Sequence, residues 1–482
     1  MVLRGLYAGD YMKVRLMHAT ILLSILLLVV PCAAQAKLVS VSAATHVLAL
    51  NDNGTVWAWG DNRYGQLGIG TMGGTQDTPQ KVLIDNVTAI SAAMGQSLAL
   101  KSDGTVWAWG YGDDGRLGYG GYESQPVPVQ VKNLTNIIAI AARGQNGYAL
   151  KSDGTVWAWG DNRDGTIGDG TYGVTNFKST PVQVKGLTDI KALGECERGT
   201  YAIKDDGTVY AWGQNTYGGD DTVYGALGDR SGPGVKPTPF LVEGVNNVAQ
   251  IAGGTDNTVY FKDDGTVWAW GNNNFGAIGD STISSSWPPD VRMPSVQLKI
   301  IDVMDVSTMN SHSVALKSDG TVWFWGRYID LKGHNDNSGL PPTENTGESA
   351  PIKVNSLDHV VDVCAGYASC IVVKDDGSVW GWGRNDEKEL GNTKNDVEPY
   401  PVLIFQGPAE ATPIPTVTPV INSTSNSILS NTSQATSVSA TSQADTPVST
   451  PGFGFNTIAL LGCLLINAGF LSGLIRGKKG EP

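Results

Sequence analysis

The sequence has few charged residues for its length, and its charge is mostly acidic. Only 16% of its 482 residues are charged and the net charge is -13, with no basic stripe between residues 37 and 407. Because affinity for phosphate backbones comes from clustered Lys and Arg, this pattern argues against DNA or RNA as a partner. We therefore predict no nucleic-acid partner.

Cysteine is also scarce. Of the five cysteines, Cys32 and Cys463 fall in the terminal segments, which leaves Cys196, Cys364 and Cys370 in the body. The odd number argues against a disulfide framework. Cys364 and Cys370 lie on successive predicted strands in VCAGYASCIVV, so they form a candidate local disulfide. The alternative is a pair of buried thiols.

The motifs of common active sites are missing. Beyond the N-terminal segment the histidines are His46, His312, His334 and His359, and no H-E-x-x-H, C-x-x-C, Walker loop or G-x-S-x-G occurs. The glycine-rich stretch GDNRYGQLGIG follows a predicted strand, but no segment with the apolar periodicity of a helix begins after it. It is therefore a weak candidate for a phosphate-binding loop. We predict no catalytic residue, no cofactor and no metal ligand, and hence a protein that is not an enzyme.

The N-terminus has the three-part layout of a secretory signal peptide. Lys13 and Arg15 precede an apolar run, and small residues at Ala34 and Ala36 favour a cut after Ala36. We assign residues 1–36 to this signal, with Met12 as a possible true start. A lipoprotein signal through Cys32 is the weaker alternative.

The C-terminus (452–482) contains an apolar segment from Phe455 to Ile475, followed by a basic tail. Its length is sufficient for a transmembrane helix with the basic residues on the cytoplasmic side. Pro451, Gly452 and Phe453 directly before it resemble the sorting motif of archaeal envelope proteins. That resemblance implies removal of the helix by an archaeosortase-type protease and attachment of a lipid, so a retained anchor and a lipid remain alternatives.

Residues 408–451 are rich in Ser, Thr and Pro and contain few large apolar residues. This composition predicts a disordered, extended stalk. Asn422 and Asn431 lie in N-x-S/T sequons of the stalk and are candidate glycosylation sites. Asn53, Asn86 and Asn133 also match, but they lie in the repeat body and are less favoured.

Residues 37–407 contain seven copies of one unit of about fifty residues. Aligned on Trp-Gly pairs, equivalent glycines stand at Gly60, Gly110, Gly160, Gly213, Gly271, Gly326 and Gly383. Each unit has four strand-like segments, such as VTAISAA, SLALKS, TVWAWG and PVPVQV in the second. Four strands make one propeller blade, so the pattern predicts an all-β, seven-bladed β-propeller.

Two further features recur in the units. An Asp-Gly or Asn-Gly pair joins the middle segments, and we expect a two-residue hairpin with positive φ at both positions, which makes these Asp residues turn formers. Trp57 and Trp59 exemplify aromatic pairs two residues apart, which share one face of a strand and are expected to fill the wedge between blades.

The repeat G-x-x-H-S-x-A-L-x-x-D-G-x-V-W-x-W-G-x-N-x-x-G-Q-L-G resembles the regulator of chromosome condensation family of seven-bladed propellers. HVLALNDNGTVWAWGDNRYGQLGIG at residues 46–70 is a close match, whereas the sixth unit loses Gly-Gln-Leu-Gly. The family's best-known activity, guanine-nucleotide exchange on a nuclear GTPase, is not transferred to a chain expected to be exported. The resemblance instead implies a protein-binding platform.

The loops after the third strand are longest in units four, five and six, which are neighbours. Insertions at one point of a repeat fall on one rim of the disc, so these loops are expected to form one raised patch. The candidate partner-binding residues there are Trp287, Tyr217, Tyr224 and Tyr328. Trp287 is the one Trp outside the repeat pattern; it is either an interface anchor or a pin for its own loop.

Together these features predict a non-enzymatic propeller, displayed on the cell surface and anchored at its C-terminus, that binds a protein or glycan of the envelope. An exported enzyme acting on envelope polysaccharide and a purely structural envelope component are the alternatives. Closure of the ring by a complete first blade or by strand exchange between the chain ends is left open by the sequence.

Overall fold

The computed structural model describes residues 37–217, 220–229, 232–255, 257–284, 291–327, 347–394 and 397–406. Within these residues the predicted all-β, seven-bladed propeller of four-stranded blades is confirmed. The predicted signal peptide, stalk, sorting motif and C-terminal helix lie outside them, as do Asn422 and Asn431. The part of the chain that is described contains no helix with the length and apolarity needed to cross a bilayer.

The first four blades follow the chain in order. Blade 1 consists of β1 (Leu38–Ala43), β2 (His46–Asn51), β3 (Val56–Asp61) and β4 (Thr75–Lys81). Blade 2 consists of β5 (Val87–Ala93), β6 (Gln96–Lys101), β7 (Val106–Gly110) and β8 (Gln125–Gln130). Blade 3 consists of β9 (Ile137–Arg143), β10 (Asn146–Lys151), β11 (Val156–Gly160) and β12 (Lys178–Gln183). Blade 4 consists of β13 (Ile190–Cys196), β14 (Gly199–Lys204), β15 (Val209–Gln214) and β18 (Val235–Leu241), with a small hairpin of β16 (Thr216–Tyr217) and β17 (Asp220–Tyr224) in its last loop.

The remaining three blades repeat the pattern. Blade 5 consists of β19 (Val248–Gly253), β20 (Asn257–Lys262), β21 (Val267–Asn272) and β22 (Val291–Gln297). Blade 6 consists of β23 (Val303–Met309), β24 (His312–Lys317), β25 (Val322–Arg327) and β26 (Gly347–Lys353). Blade 7 consists of β27 (Val360–Ala365), β28 (Ser369–Lys374), β29 (Val379–Gly383) and β30 (Glu398–Phe405). All pairings within the blades are antiparallel.

The first strand of each blade contacts the first strands of its neighbours, and β27 contacts β1, so the ring is closed. Every blade takes its four strands from one continuous stretch of chain, which means that a complete first blade closes the ring without strand exchange. At the seam, Asp362 Oδ2 accepts a hydrogen bond from Val41 N at 2.7 Å. Trp59 Nε1 donates to the Glu389 carbonyl at 2.8 Å.

The second Trp of each pair fills the space between blades, as predicted. Trp59, Trp109, Trp159 and Trp212 are fully buried. Their indole N–H groups are also used: Trp109 Nε1 donates to the carbonyl of Gln66 in the preceding blade at 2.8 Å. The glycine-rich loop therefore supplies the acceptor for the next blade's Trp, which explains why both elements recur together.

The first Trp of each pair differs from the prediction, because it is only partly buried. Trp107 lies two residues nearer the hairpin end of its strand than Trp109, at the margin of the contact between blades. Its Nε1 donates to Thr105 Oγ1 at 3.1 Å, and the Lys101 ammonium lies 5.4 Å from the ring centroid. The side chain thus contributes a cation–π contact at the surface in place of full core burial.

The predicted hairpin type is wrong, although the role of its Asp is confirmed. In blade 2 the loop has three residues: Lys101 N donates to Thr105 O, and Gly104 N donates to Lys101 O, both at 2.9 Å. Positive φ is confined to the glycine, at 77° for Gly104. Asp103 Oδ1 accepts Thr105 N at 2.9 Å and Thr105 Oγ1 at 2.6 Å, and these bonds lower the pKa of Asp103. A type I turn closed by a left-handed glycine is the corrected description.

The antiparallel order gives the propeller two faces. The loop face consists of the turns between first and second strands, such as 94–95, and the loops between third and fourth strands, such as 111–124. The hairpin face consists of the Asp-Gly hairpins, such as 102–105, and the linkers between blades, such as 131–136.

Candidate partner-binding face

The long loops predicted to bind a partner leave and re-enter their blades on the loop face. Trp287 and Tyr328 lie outside the described residues. Tyr217 and Tyr224 lie on the two strands of the β16–β17 hairpin, where Thr216 pairs with Tyr224, and their side chains are not described. The patch over blades 4 to 6 therefore remains a prediction.

A shallow depression lies at the centre of the loop face, where the turns of several blades meet. We call it the axial mouth, and its lining includes Met94, Arg143, Glu197, Asn310 and Tyr367. Each of these residues lies in or next to the turn between the first and second strands of a different blade. Sequence reasoning missed the site because the repeat pattern varies freely at this turn.

Arg143 crosses the axis of the propeller. It ends β9 of blade 3, and its Nη2 donates to the carbonyls of Gly253 at 2.9 Å and Thr308 at 3.2 Å. Gly253 is the last residue of the first strand of blade 5, and Thr308 is the residue before the last of the first strand of blade 6. One guanidinium therefore joins three blades. Ala93 occupies the equivalent position of blade 2, where no side chain can reach across.

A chain of hydrogen bonds links the turns on the other side of the mouth. Thr255 Oγ1 donates to Glu197 Oε2 at 2.5 Å, and Thr255 N donates to Asn310 O at 3.1 Å. Asn310 Nδ2 donates to Tyr367 O at 2.5 Å, and Tyr367 N donates to the carbonyl of Ala44 at 3.2 Å. The turns of blades 4, 5, 6, 7 and 1 are therefore held together at their tips, and the mouth is a fixed surface.

A tyrosine patch, formed by Tyr64, Tyr111 and Met94, extends from the mouth over blades 1 and 2. The Tyr64 and Tyr111 rings are 4.2 Å apart between centroids, with Tyr64 41% and Met94 40% exposed. A Cβ placed on Gly95 would lie 3.5 Å from both tyrosines, so the patch is continuous with the turn that carries Met94. The Arg116 guanidinium lies over the Tyr111 ring, 4.5 Å from its centroid, and adds a cation–π contact.

The repeat's histidine position serves the contact between blades. His46 Nε2 lies 2.7 Å from Ser97 Oγ of the next blade, which in turn donates to Gln66 O at 2.7 Å. Burial lowers the pKa of His46 to about 4, so the ring is neutral near pH 7. Several residue types can make such a local hydrogen bond, which agrees with the variation of residue type at this position.

Between blades 6 and 7 this network is interrupted. His312 is buried, and in the described part of the chain neither of its ring nitrogens has a hydrogen-bond partner. Cys370 stands where Ser97 stands in blade 2, and the sixth unit lacks the Gly-Gln-Leu-Gly loop. His312, Arg327 and Ser369 line a small gap at this point.

The structure does not form the candidate disulfide between Cys364 and Cys370. Both are free thiols, as is Cys196. Cys364 pairs across the strands with Ile371, so its neighbour Cys370 points to the opposite face of the blade. The two sulfurs pack in different interblade cores, which excludes a bond between them in this fold. Cys370 is buried and Cys364 is half-buried.

Two carboxylates lie deeper along the axis, at equivalent positions of adjacent first strands. Asp305 Oδ1 accepts Gln250 Nε2 at 2.8 Å, and Asp362 Oδ2 accepts Val41 N. Burial raises the pKa of both, and for Asp362 the nearby charge of Asp305 adds to the rise. Each carboxylate already accepts a hydrogen bond from a neighbouring blade, which indicates that it helps to hold the ring of blades together.

Comparison with family models identifies the repeat. Two models of the "Regulator of chromosome condensation (RCC1) repeat" match the chain, one at residues 53–100, 103–149, 153–193, 264–316 and 376–417. The other matches residues 37–66, 137–166, 198–218, 248–277 and 360–388, and together they cover more than half of the chain.

Curated relatives match over part of their length. The human E3 ubiquitin-protein ligase HERC2 is 29% identical over 235 residues, which is 47% of this chain and 4% of the ligase. The Arabidopsis thaliana mitochondrial RCC1 domain-containing protein RUG3 is 27% identical over 44% of this chain and 46% of its own. The Arabidopsis ultraviolet-B receptor UVR8 is 27% identical over 43% of this chain and 44% of its own. The chain thus spans less than half of these proteins.

Solved structures share the fold. Prp20p from Saccharomyces cerevisiae, described with its binding to Gsp1p and histones, aligns with a TM-score of 0.62 and 20% identity over 77% of this chain and 88% of its own. Human WBSCR16 aligns with a TM-score of 0.60 and 20% identity over 73% of this chain and 95% of its own. The repeat models, the seven blades and these alignments agree, and the chain belongs to the regulator of chromosome condensation repeat family.

Proposed function

We propose that the chain is an exported, surface-displayed propeller that binds a protein partner through its loop face. The observation that carries the proposal is the tyrosine patch beside the axial mouth. Tyr64 and Met94 expose about two fifths of their surface, and the Tyr64 ring packs against Tyr111 with 4.2 Å between centroids. Rigid, partly exposed aromatic side chains lose little entropy on binding and are enriched among residues that dominate interfaces.

The family supports a protein as the partner. Prp20p is described with its binding to Gsp1p and histones, and a second structure contains yeast RCC1 bound to Kap60. These partners belong to those proteins, and we transfer only the class of ligand. The predicted patch of Trp287, Tyr217, Tyr224 and Tyr328 would enlarge the same face over blades 4 to 6.

Export and anchoring rest on the terminal segments. The signal layout of residues 1–36 directs the chain out of the cytoplasm, and the stalk at 408–451 would hold the propeller away from the membrane. Attachment would be through the helix at 455–475 or through a lipid that replaces it at Pro451, Gly452 and Phe453.

The enzyme alternative is less supported. An enzyme acting on polysaccharide needs two carboxyl groups that face a cavity, one of them free to hold a proton for the substrate. Asp305 and Asp362 are the paired carboxyls on the axis, but each accepts a hydrogen bond from a neighbouring blade. The axial mouth contributes one carboxylate, Glu197, which is bonded to Thr255.

The proposal is tested by affinity capture from an envelope extract with two matched variants of the full chain. Met94→Arg places a charge on the loop face, and Ile301→Arg places one on the hairpin face, where Ile301 is 54% exposed in the linker between blades 5 and 6. We expect both variants to fold and only Met94→Arg to lose the captured partner. Equal capture by both variants would place binding elsewhere, and no specific partner for the parent would favour a structural role.

Trp287→Ala extends the test to the long loops. Loss of the partner with unchanged melting would make Trp287 part of the interface. A lowered melting temperature with unchanged capture would show that Trp287 pins its own loop.

A further inference from the structure

The propeller body contains three N-x-S/T sequons, at Asn53, Asn86 and Asn133, and all three lie on the hairpin face. No sequon occurs elsewhere between residues 37 and 407. Transfer of a glycan to a folded protein requires that both the Asn amide and the Ser or Thr hydroxyl be accessible. The three sites differ in this respect.

Asn53 is exposed, but its side chain is bonded within its own hairpin. Its Oδ1 accepts Thr55 N at 3.0 Å and Thr55 Oγ1 at 2.8 Å, so the two side chains of the sequon are bonded to each other. The adjacent Gly54 has a φ of 80°, and a Cβ there would lie 3.0 Å from Val87 N of the next blade. The backbone of this hairpin therefore packs against the next blade.

Asn86 is exposed, but its sequon runs into a strand. Thr88 belongs to β5, and its Oγ1 donates to the carbonyl of Leu100 at 3.2 Å. Asn86 Nδ2 donates to Asp85 Oδ1 at 3.2 Å. An enzyme would have to separate these groups before it could bind the sequon.

Asn133 is accessible. Asn133 and Thr135 are both exposed in the linker between β8 and β9, and no hydrogen bond to either side chain is found among the described residues. Asn133 has a φ of 59°. Gly186 and Gly244 occupy the equivalent position in the next two linkers, with φ of 72° and 78°, and a Cβ on either would meet no atom within 4 Å. A side chain at this position projects into open space.

We propose that Asn133 is an N-glycosylation site of the exported protein, an inference that rests on the export proposed above. The donor would be a glycosyl phosphate. A bond forms between Asn133 Nδ2 and the anomeric carbon, the anomeric C–O bond breaks with its electron pair leaving on the phosphate, and the amide gives one proton to the transferring enzyme. The glycan would cover the hairpin face and leave the loop face free for its partner.

The test is peptide mass spectrometry of the full chain, expressed in a cell that exports it and attaches N-linked glycans. We expect a glycan on the peptide that contains Asn133 and its loss in Thr135→Ala, which keeps the asparagine but removes the sequon. Gly186→Asn combined with Asp189→Asn is a matched gain of function, because it reproduces the N-L-T-N sequence of residues 133–136 at the equivalent position and removes the carboxylate to which Thr188 Oγ1 donates at 2.9 Å. We expect this variant to acquire a second glycan on the body.

The stalk sequons serve as the internal control. Unmodified Asn133 in a chain that carries glycans at Asn422 or Asn431 would overturn the proposal while leaving export intact. A chain unmodified at every sequon would count against both export and this site. Modification of Asn53 in preference to Asn133 would contradict the accessibility argument.

Discussion

Arg143 on the third blade donates a hydrogen bond across the propeller axis to the carbonyl of Gly253 on the fifth, at 2.9 Å. The same nitrogen reaches Thr308 on the sixth blade. In most propeller contacts a blade touches only its neighbours. This guanidinium instead couples blades that are not adjacent, at the centre of the face proposed to bind a partner.

Replacement of this arginine is therefore expected to loosen the ring. Arg143→Met keeps much of the volume but leaves two carbonyls without their donor, and we expect the free energy of unfolding to fall by about 1–3 kcal/mol. Urea denaturation of the variant and parent measures the change. Arg198→Ala, at an exposed position on the turn of blade 4, is the control and is expected to have little effect. Equal stability of Arg143→Met and the parent would show that the cross-axis bonds contribute nothing.

The axial carboxyls predict an unusual dependence of stability on pH. Burial raises the pKa of Asp305 and Asp362, so the folded protein binds more protons than the unfolded chain at pH values between about 4 and the raised pKa values. The contribution of these two carboxyls to the free energy of unfolding should fall as the pH rises through this range. Asp362→Asn removes the charge and keeps an oxygen for Val41 N, and we expect it to stabilise the protein at pH 8 by roughly 1–3 kcal/mol.

The measurement is urea denaturation at pH 5 and pH 8. The gain in the free energy of unfolding of Asp362→Asn over the parent should be larger at pH 8 than at pH 5. Asp319→Asn is the control, because the hydrogen bonds from Thr321 lower the pKa of Asp319 and no gain at pH 8 is expected. A variant Asp362→Asn that is less stable than the parent at pH 8 would refute the assignment.

The body thiols should be reduced and unreactive in the folded protein. Burial raises the pKa of Cys196 to about 11 and of Cys364 to about 12, and it raises the pKa of Cys370 as well. We expect iodoacetamide at pH 8 to leave all three unmodified until urea is added, as read by peptide mass spectrometry. A peptide in which Cys364 and Cys370 are joined would contradict the free thiols.

Cys364 occupies a position that serines hold in other blades. Ser42 Oγ accepts Ala92 N at 2.8 Å and Ser91 Oγ accepts Ala142 N at 2.9 Å, whereas Cys364 Sγ accepts Ala43 N at 3.2 Å. We expect Cys364→Ser to retain full stability and Cys364→Ala to lose about 1 kcal/mol, because the amide then has no acceptor. Thermal melting of the two variants gives the comparison. Similar losses for both would show that sulfur packing, not the hydrogen bond, matters here.

The repeat pattern predicted the architecture well because each unit builds its own four strands from local periodicity. Burial of Trp59 followed from its place in the unit, while partial exposure of Trp57 depends on where the neighbouring blade ends. The hairpin type was missed because the sequence does not show that the Asp103 carboxylate binds Thr105 N.

The axial mouth could not be predicted, since it is assembled from turns that vary between units. The contact of Arg143 with Gly253 joins residues 110 positions apart, and no repeat rule places them together. A partial signal existed: Arg143 is a charged residue at the end of a strand where blade 2 has Ala93. The separation of the two thiols has a simpler reason. Positions on successive strands of one blade do not by themselves place Cys364 and Cys370 on the same face, because Cys364 pairs with Ile371.

The most direct test of the proposed binding face is hydrogen–deuterium exchange of the full chain, free and with the partner captured from the extract. We expect protection in the turns at 93–96, 143–146, 309–312 and 366–369 and in the loop that carries Tyr64, with exchange unchanged in the linkers on the opposite face. Protection confined to the hairpins and to linkers such as 131–136 would contradict the account, because the partner would then bind the face that we propose to be glycosylated.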